Sequence, residues 1–528
     1  MLRRGGWGFL AGPLCALALW LALALPSLER STMQEMDELI YGSAAQGAAL
    51  EGHWWPLHLE GRVFYEKPPL LLWLAGATAK LSGRPYAAWP YRVWTCLGAG
   101  LAVALLVLIG ALLDRPGLGW TAAAALALQG DFVFHARFFT MDTPFVAAMM
   151  AALALALRAL RSGRARDWVL AGVGLALCAA FKSWFVFTLA PAYVCAVALH
   201  VPRPGRKAAW LGLGLPVAAF LALWVLLYLD WMGLAFLREE WTENIVSRVT
   251  GGAHALDPDG HAAFYVGWAS RTAPALLPWA LAVPLALAPS GAAGAVSAGA
   301  EAGGGRALAF LRTWTCVFCV TWLLGMAWVR AETINYTLPL EAALCLGAGL
   351  MADAAGPSSK ALLLACLLAA SLLAALRLWD PFLCLCLGAP LGLAWMLSDR
   401  LRDSRARAST GGRALTKRSL ALAALCSLLA LGTGLAQSRE ALALLYRPVD
   451  TTRAMAGLLL DHPARSKGET LWLIGGASRV PNFYSSYTVR LLDALPARRP
   501  PEASLVKTKM GWVFFPAGLA APGAQQRP

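Results

Sequence analysis

Long apolar stretches alternate with short polar connections along most of the chain. The stretches are about 17–25 residues long, the length at which an α-helix crosses the hydrocarbon core of a bilayer. A helix that is apolar on all sides must lie in lipid or in a protein core, so these stretches predict membrane spans. The pattern predicts an all-α polytopic membrane protein of about 11–13 transmembrane helices. The spans are placed near 8–26, 88–113, 117–131, 142–160, 168–183, 185–200, 208–229, 269–289, 313–329, 334–352, 360–377, 380–397 and 419–436.

The first apolar stretch could belong to a cleaved signal peptide or to a retained helix. The run from Phe9 to Leu25 exceeds the usual signal-peptide core, and no clean small-x-small cleavage site follows it. We therefore interpret this stretch as a retained first span.

Basic residues divide the connections between the spans into two groups. Short basic connections alternate with two long loops of mixed charge, at 27–87 and 230–268. Because short basic loops stay in the cytoplasm, the pattern predicts a cytoplasmic N-terminus and long loops on the outer side of the membrane. The basic connections hold Arg158, Arg161, Arg164, Arg166, Arg203, Arg206, Lys207, Arg400, Arg402, Arg405, Arg407, Arg413, Lys417 and Arg418.

The chain changes character after residue 436. Short apolar runs at 471–474 and 512–515 have the length of strands and are separated by glycine and polar residues. They predict a small periplasmic α/β domain over 437–528, which follows a transmembrane domain over 1–436.

The amino-acid composition indicates which class of protein this is and which partners it binds. Hydrophobic residues make up 59% of the chain and charged residues 14%, which is too apolar for a soluble enzyme. The net charge of +15 follows largely from the basic connections, so the lipid bilayer is the expected partner and nucleic acid is not. All 11 cysteines lie in apolar segments, and this distribution predicts no disulfide framework.

The first long loop begins with an acidic pair. Asp37 and Glu38 lie in a segment of small and apolar residues, 33–50, that predicts a helix along the membrane surface. Tyr41 follows Asp37 at helical spacing. This arrangement suits catalysis or ligand capture, and the alternative is an amphipathic helix with solvated acids.

The same loop ends in a second polar motif, YEKPP. Tyr65, Glu66 and Lys67 precede two prolines, which restrict the backbone and bias Lys67 away from a helical conformation. A lysine fixed in this way can bind a phosphate group. The alternative is a lysine that anchors a helix at the lipid headgroups.

Further charges recur where later spans meet the same side of the membrane. Arg137 and Asp142 lie at the junction of the third and fourth spans, where Asp142 can also cap the next helix. Lys182 lies in an apolar run, where an ionisable residue indicates function unless it snorkels to the headgroups. Further polar residues on the same side of the membrane are Arg248 in the second long loop and Arg330 and Tyr336 at a later boundary.

Taken in this order, the motifs resemble those of the GT-C superfamily of polyprenyl-phosphate-sugar glycosyltransferases. The resemblance rests on the acidic pair with Tyr41, on YEKPPL, on ARxxxxD at 136–142, on the lysine after the fifth span, on ExxxxR at 243–248 and on YxLP at 336–339. The chain is similar to the protein O-mannosyltransferase and lipid A aminoarabinose transferase type, and the resemblance covers roughly residues 1–350.

The resemblance implies roles for individual residues. The family's first-loop acid lies beside the acceptor hydroxyl and the anomeric carbon, which implies Asp37 as the general base, with Glu38 beside it and Asp142 as a second acid. Glu66 matches a position that can hold a divalent cation. The implied donor-phosphate site consists of Tyr65, Lys67, Arg137, Lys182, Arg248, Arg330 and Tyr336.

The resemblance also implies a reaction. A sugar is expected to pass from undecaprenyl phosphate to lipid A or another envelope glycan, on the periplasmic side of the cell inner membrane, with inversion of the anomeric centre. Cationic side chains can stabilise the leaving phosphate, so no cofactor is required, and a divalent metal stays open. Lipid A aminoarabinose transfer is the most specific expectation. The alternatives are a protein O-mannosyltransferase, a transporter or flippase for a lipid-linked sugar, and a non-catalytic scaffold.

Overall fold

The protein is a helical bundle with a small sheet, as seen in a computed structural model. The structure describes residues 8–29, 33, 37–59, 62–127, 129–246, 302–328, 334–354, 459, 461, 470–474, 488–492, 503–508 and 511–515. Arg248, Arg330 and the spans predicted near 269–289, 360–377, 380–397 and 419–436 lie outside these residues.

Thirteen α-helices lie in the described part of the chain. They are α1 (Gly8–Ala24), α2 (Asp37–Glu51), α3 (Leu70–Ser82), α4 (Trp89–Leu112), α5 (Pro116–Ala127), α6 (Gly130–His135), α7 (Asp142–Ser162), α8 (Ala165–Lys182), α9 (Ala190–His200), α10 (Arg203–Met232), α11 (Leu234–Glu239), α12 (Ala302–Trp328) and α13 (Leu338–Ala354). Short 3₁₀ turns occupy Leu25–Ser27, Ser183–Leu189 and Ile334–Thr337, and a π-helical turn occupies Glu240–Val246.

Within the described residues, six helical segments are long and apolar enough to cross a membrane: 10–27, 89–112, 142–162, 165–200, 203–232 and 305–325. They coincide with predicted spans, so the polytopic helical class is confirmed. The segment 165–200 contains two of the predicted spans, which are separated at Ser183, where φ is 46°. Such a backbone conformation is rare for a residue with a side chain.

Two stretches differ from the predicted spans. The span predicted near 117–131 is two helices, α5 and α6, because Gln129 has an extended backbone that interrupts the helix. The predicted loop 27–87 contains α3 in addition to the predicted surface helix, α2. At 13 residues α3 is shorter than the roughly 20 residues of a typical span, which is why its apolar run does not stand out as one.

Tight turns place the helices side by side. Gly163, with φ of 67°, ends α7 in the left-handed conformation, and α8 begins two residues later. The helix α8 packs against both α7 and α10, and α4 packs against α1, α5 and α7. At the crossing of α4 and α7, a Cβ on Gly98 would lie 2.8 Å from the nitrogen of Pro144, so only glycine permits this approach.

A second hydrophobic cluster lies outside the main bundle core. It joins Leu39 and Tyr41 of α2, Leu71 and Leu72 of α3, and Phe139 before α7. The same cluster includes the buried side chains of Leu459 and Leu471, far later in the chain. The end of the bundle under this cluster is called the site end below.

The late strands form one mixed sheet. They are β3 (Thr470–Ile474), β4 (Thr488–Leu492), β5 (Ala503–Thr508) and β6 (Gly511–Phe515). Much earlier in the chain, β1 (His58–Leu59) and β2 (Arg62–Val63) form a separate short hairpin. The order in the sheet is β4-β3-β5-β6, with β3 parallel to β4 and β5, and β6 antiparallel to β5. The strands predicted at 471–474 and 512–515 are confirmed, while the domain boundary at 436 stays a prediction.

A buried ion pair holds the acidic helix α2 against the bundle. Arg92 of α4 binds both carboxylate oxygens of Glu38, with distances of 2.6 Å from Nε and 2.8 Å from Nη2. Its Nη1 donates to the carbonyl of Leu28 at 2.9 Å, and the amide of Phe139 donates to Glu38 at 2.9 Å. Four separate segments of the chain therefore meet at two side chains that are almost completely buried.

Replacement of Arg92 is expected to destabilise the protein strongly. Arg92→Leu leaves the Glu38 carboxylate buried without its cation, which costs about 3–5 kcal/mol. The unfolding midpoint in detergent measures this loss. The matched control is Arg161→Leu, because Arg161 pairs at 2.9 Å with the exposed Asp114, and an exposed pair contributes about 0–1 kcal/mol. Equal midpoints for the two variants would show that the buried pair does not anchor α2.

Candidate active site

Polar side chains from four segments meet around Tyr41 at the site end. Tyr41 is buried on α2, and burial raises the pKa of its phenol well above the ordinary value. The charges of Asp37, Asp142 and Glu66 raise it further, as does the hydroxyl of Tyr336. Tyr41 therefore stays a neutral phenol that can donate a hydrogen bond, and it marks the place where these four groups converge.

Asp37 and Glu38 have different surroundings although they are adjacent. Glu38 is completely buried, and Arg92 and the Phe139 amide bind its oxygens. Asp37 is half-buried at the first position of α2, and its charge acts on Tyr41. Of the predicted acidic pair, Asp37 lies toward the group of polar side chains and Glu38 lies toward the bundle.

Asp142 and Lys182 form a buried ion pair. The Nζ of Lys182 donates to the Oδ1 of Asp142, which joins the start of α7 to the end of α8. The same Nζ lies 4.5 Å from the ring centroid of Phe185 and 4.7 Å from that of Tyr336. Cation–π contacts of this kind stabilise a partly desolvated ammonium group.

The YEKPP motif presents its lysine directly before a helix. Lys67 is half-buried and its Nζ donates to the Glu66 carbonyl at 3.1 Å, while Glu66 is exposed. Pro68 and Pro69 are buried, and Pro69 caps the start of α3. Lys67 itself is not helical, in agreement with the restriction that the two prolines predict.

Tyr65, at the start of the motif, contacts the segment that follows α10. Glu239, the last residue of α11, lies close enough to the Tyr65 hydroxyl to act as a hydrogen-bond acceptor. The Tyr65 ring packs edge-on against Phe236 at 6.3 Å. Burial, the Glu239 hydrogen bond and the nearby acids raise the pKa of Tyr65, so its hydroxyl keeps its proton.

Arg137 lies at the same end of the bundle, in the turn between α6 and α7. Its side chain is 8% exposed, and its charge acts on Cys96, one helical turn beyond Arg92 on α4. His135, at the end of α6, is bonded to the Asp131 carbonyl at 2.8 Å and so stabilises its own helix. The structure places Arg137 beside α4, and its predicted contact with phosphate stays a prediction.

The metal site predicted at Glu66 has no support in the side chains around it. Among the residues that the structure describes, no group of three histidine, cysteine or acidic side chains is arranged to hold a metal ion. A metal at Glu66 stays a prediction.

Sequence reasoning did not find three of the residues that build the site. Arg92 had a signal, because it is a lone charge inside the apolar stretch 88–113, where an ionisable residue indicates a specific partner. The sequence contains no signal for Glu240 and Trp184, because the hydrogen bond of 3.1 Å between them joins residues that are 56 positions apart.

Comparison with known proteins adds two findings. Residues 66–228 match the sequence profile of the family described as dolichyl-phosphate-mannose-protein mannosyltransferase. This region contains Lys67, Arg137, Asp142 and Lys182. No curated protein sequence matches the chain.

The fold is similar to those of solved membrane enzymes. The crystal structure of ArnT from Cupriavidus metallidurans bound to undecaprenyl phosphate aligns with a TM-score of 0.60 at 15% identity, over 92% of this chain and 86% of that one. The apo state of the same protein aligns with a TM-score of 0.58 at 16% identity, over 92% and 85%. The archaeal oligosaccharyltransferase AglB from Archaeoglobus fulgidus, in complex with an inhibitory peptide and a dolichol-phosphate, aligns with a TM-score of 0.51 at 12% identity, over 91% of this chain and 63% of that one.

The raised pKa of Tyr41 predicts a loss of stability at alkaline pH. The unfolded phenol ionises near pH 10, whereas the folded phenol keeps its proton to higher pH. The stabilisation is therefore fully present below pH 10 and is lost as the pH rises above it. The unfolding midpoint is expected to fall less steeply between pH 9 and pH 11 in Tyr41→Phe than in the wild type. Equal slopes would show that Tyr41 ionises normally in the folded protein.

Proposed function

We propose that this chain, which belongs to the GT-C superfamily of glycosyltransferases, transfers a sugar from a polyprenyl-phosphate donor at the site end of its bundle. The observation that carries the proposal is the buried ion pair of Lys182 and Asp142 at the site end, where the charges of Asp37, Glu66 and Asp142 also act on Tyr41. Acids for the acceptor and cations for a phosphate are the two kinds of group that this reaction needs.

Asp37 is the proposed general base. Glu38 is held by Arg92 and the Phe139 amide, and Asp142 is held by Lys182, so both are engaged in bonds that shape the site. Asp37 is half-buried beside the neutral phenol of Tyr41. In this proposal Asp37 removes the proton of the acceptor hydroxyl as that oxygen attacks the anomeric carbon. Glu38 and Asp142 act as positioning residues.

The cations of the site stabilise the departing phosphate. The bond between the anomeric carbon and the phosphate oxygen breaks as the acceptor oxygen attacks from the opposite face, so the anomeric centre inverts. Negative charge builds on the phosphate, and fixed cations beside it lower the barrier. Lys67 at the YEKPP motif is the first candidate. The other proposed members of the phosphate site are Tyr65, Arg137, Lys182, Arg248, Arg330 and Tyr336.

We further propose undecaprenyl phosphate as the lipid carrier and lipid A or another envelope glycan as the acceptor. The ArnT crystal structure contains undecaprenyl phosphate and aligns over 86% of its own length, which supports this carrier. A protein acceptor is the second candidate, because the matched family profile is described as a protein mannosyltransferase.

The protein is a multi-pass membrane protein, and we propose the inner membrane with the site end facing the periplasm. Arg158 and Arg161 at the end of α7, and Arg164 before α8, lie at the end of the bundle opposite the site. Arg203 and Arg206 at the start of α10 lie at that opposite end too. Basic residues of this kind favour a cytoplasmic position, which supports the proposed orientation.

Replacement of Asp37 is expected to abolish sugar transfer and to leave donor binding intact. Asp37→Asn removes the base but keeps the size of the side chain, so the rate should fall at least about 100-fold. The measurements are sugar transfer by the purified protein and its affinity for undecaprenyl phosphate. Asp114→Asn, a change of the same type at an exposed position near the opposite end, serves as the control. Wild-type transfer by Asp37→Asn would contradict the assignment of the base.

The donor and the acceptor can be identified by mass spectrometry of the cell envelope. Cells that carry the gene are compared with cells that lack it and with cells that carry Asp37→Asn, and lipid A, other envelope glycans and membrane proteins are analysed separately. The proposal predicts that one sugar is missing from lipid A or another glycan in both deficient strains. A sugar missing only from proteins would support the second candidate. Unchanged composition in all three fractions would contradict a role in envelope glycosylation.

A further inference from the structure

Two adjacent acids after α10 contact the two segments of the chain that carry the site lysines. The ring of Tyr65 packs against Phe236 of α11 at 6.3 Å, and Glu239 of the same helix lies close enough to the Tyr65 hydroxyl to act as its hydrogen-bond acceptor. The Oε1 of Glu240 accepts a hydrogen bond from the Nε1–H of Trp184 at 3.1 Å. Tyr65 is two residues before Lys67, and Trp184 is two residues after Lys182. The acids at 239 and 240 thus form a bridge between the two lysine segments.

Packing around the bridge fixes its position. Phe236 of α11 is completely buried, stacks on the ring of Tyr228 at 5.1 Å and packs edge-on against Tyr65 at 6.3 Å. The hydroxyl of Tyr228 donates to the Phe64 carbonyl at 3.0 Å. Residues 64 and 65 are therefore both held by the chain that runs from the end of α10 into α11.

The second half of the bridge is equally enclosed. Glu240 is 2% exposed, and the Trp184 ring that donates to it packs against Trp224 of α10 at 5.7 Å. Burial of a carboxylate is unfavourable unless hydrogen bonds compensate for the lost water. The buried Glu240 therefore indicates that its partner, Trp184, is held in a defined position.

The bridge offers two neutral donors, because Tyr65 presents a phenol and Trp184 an indole N–H. The bridge can hold the neighbouring backbone in place through these donors.

We propose that Glu239 and Glu240 are positioning residues that fix the segments of Lys67 and Lys182 relative to each other, so that both ammonium groups can act on one donor phosphate. The inference rests on the proposed function, because it assumes that the lysines bind that phosphate. The inference goes beyond the proposed function because it assigns a positioning role to two acids that need not touch the substrate.

The test compares binding of undecaprenyl phosphate with binding of undecaprenol, which lacks the phosphate, by the full-length protein in detergent. Tyr65→Phe, Glu239→Ala, Trp184→Phe and Glu240→Ala each remove one partner of a hydrogen bond. Each variant is expected to weaken binding of undecaprenyl phosphate about tenfold. Binding of undecaprenol should not change, because the lipid chain does not depend on the lysines. Glu51→Ala, at an exposed position at the end of α2, is the matched control with unchanged affinities.

Double variants separate positioning from direct contact. If Tyr65 acts through Glu239, the double variant Tyr65→Phe/Glu239→Ala binds undecaprenyl phosphate no more weakly than either single variant. Glu239→Gln retains an acceptor oxygen and should recover most of the affinity. The pair of Trp184 and Glu240 should behave in the same way, with Glu240→Gln as the conservative variant.

Three outcomes overturn the inference. Losses that multiply in the double variants would show that Tyr65 or Trp184 contacts the ligand independently of the acids. Equal losses for undecaprenyl phosphate and undecaprenol would indicate general disruption of the fold. Unchanged affinities in all four single variants would remove the bridge while leaving the proposed function intact. A wild-type protein that does not distinguish undecaprenyl phosphate from undecaprenol would instead overturn the proposed function itself.

Discussion

The buried ion pair of Glu38 and Arg92 is the constraint on which the site end depends. Two charges removed from water require near-complete hydrogen bonding, and the pair obtains it from the Phe139 amide and the Leu28 carbonyl. Those partners come from the end of the first span and from the turn before α7. One pair of side chains therefore sets the positions of α2, α4 and the start of α7 together.

This constraint explains how adjacent acids acquire different roles. Glu38 faces Arg92, so the helical rotation from residue 38 to residue 37 turns Asp37 away from the bundle and toward Tyr41. The start of α7 then brings Asp142 to the same region, where Lys182 meets it. Glu38 and Asp142 thus take part in ion pairs that shape the site, whereas Asp37 is half-buried and its charge acts on Tyr41.

Sequence predicted the parts of this molecule that follow from local pattern. Apolar length predicted the long helices, and YEKPP predicted a lysine whose backbone is restricted by two prolines. Pattern could not predict that α3 is a helix, because its 13 residues are fewer than a span needs. It could not decide between Asp37 and Glu38 either, since the inward face of α2 is set by Arg92, 54 residues away. The Glu240–Trp184 bond depends in the same way on how distant helices pack.

The second hydrophobic cluster has a consequence for the order in which the protein can mature. Leu459 and Leu471 are buried together with Leu39 and Tyr41 of the acidic helix. During synthesis α2 reaches the membrane long before these leucines are made, and until then its apolar face lacks part of its cover. The helix α2 therefore reaches its final packing only after the late segment has been made and has docked on it. A nascent chain halted before that segment has α2 with part of its apolar face uncovered.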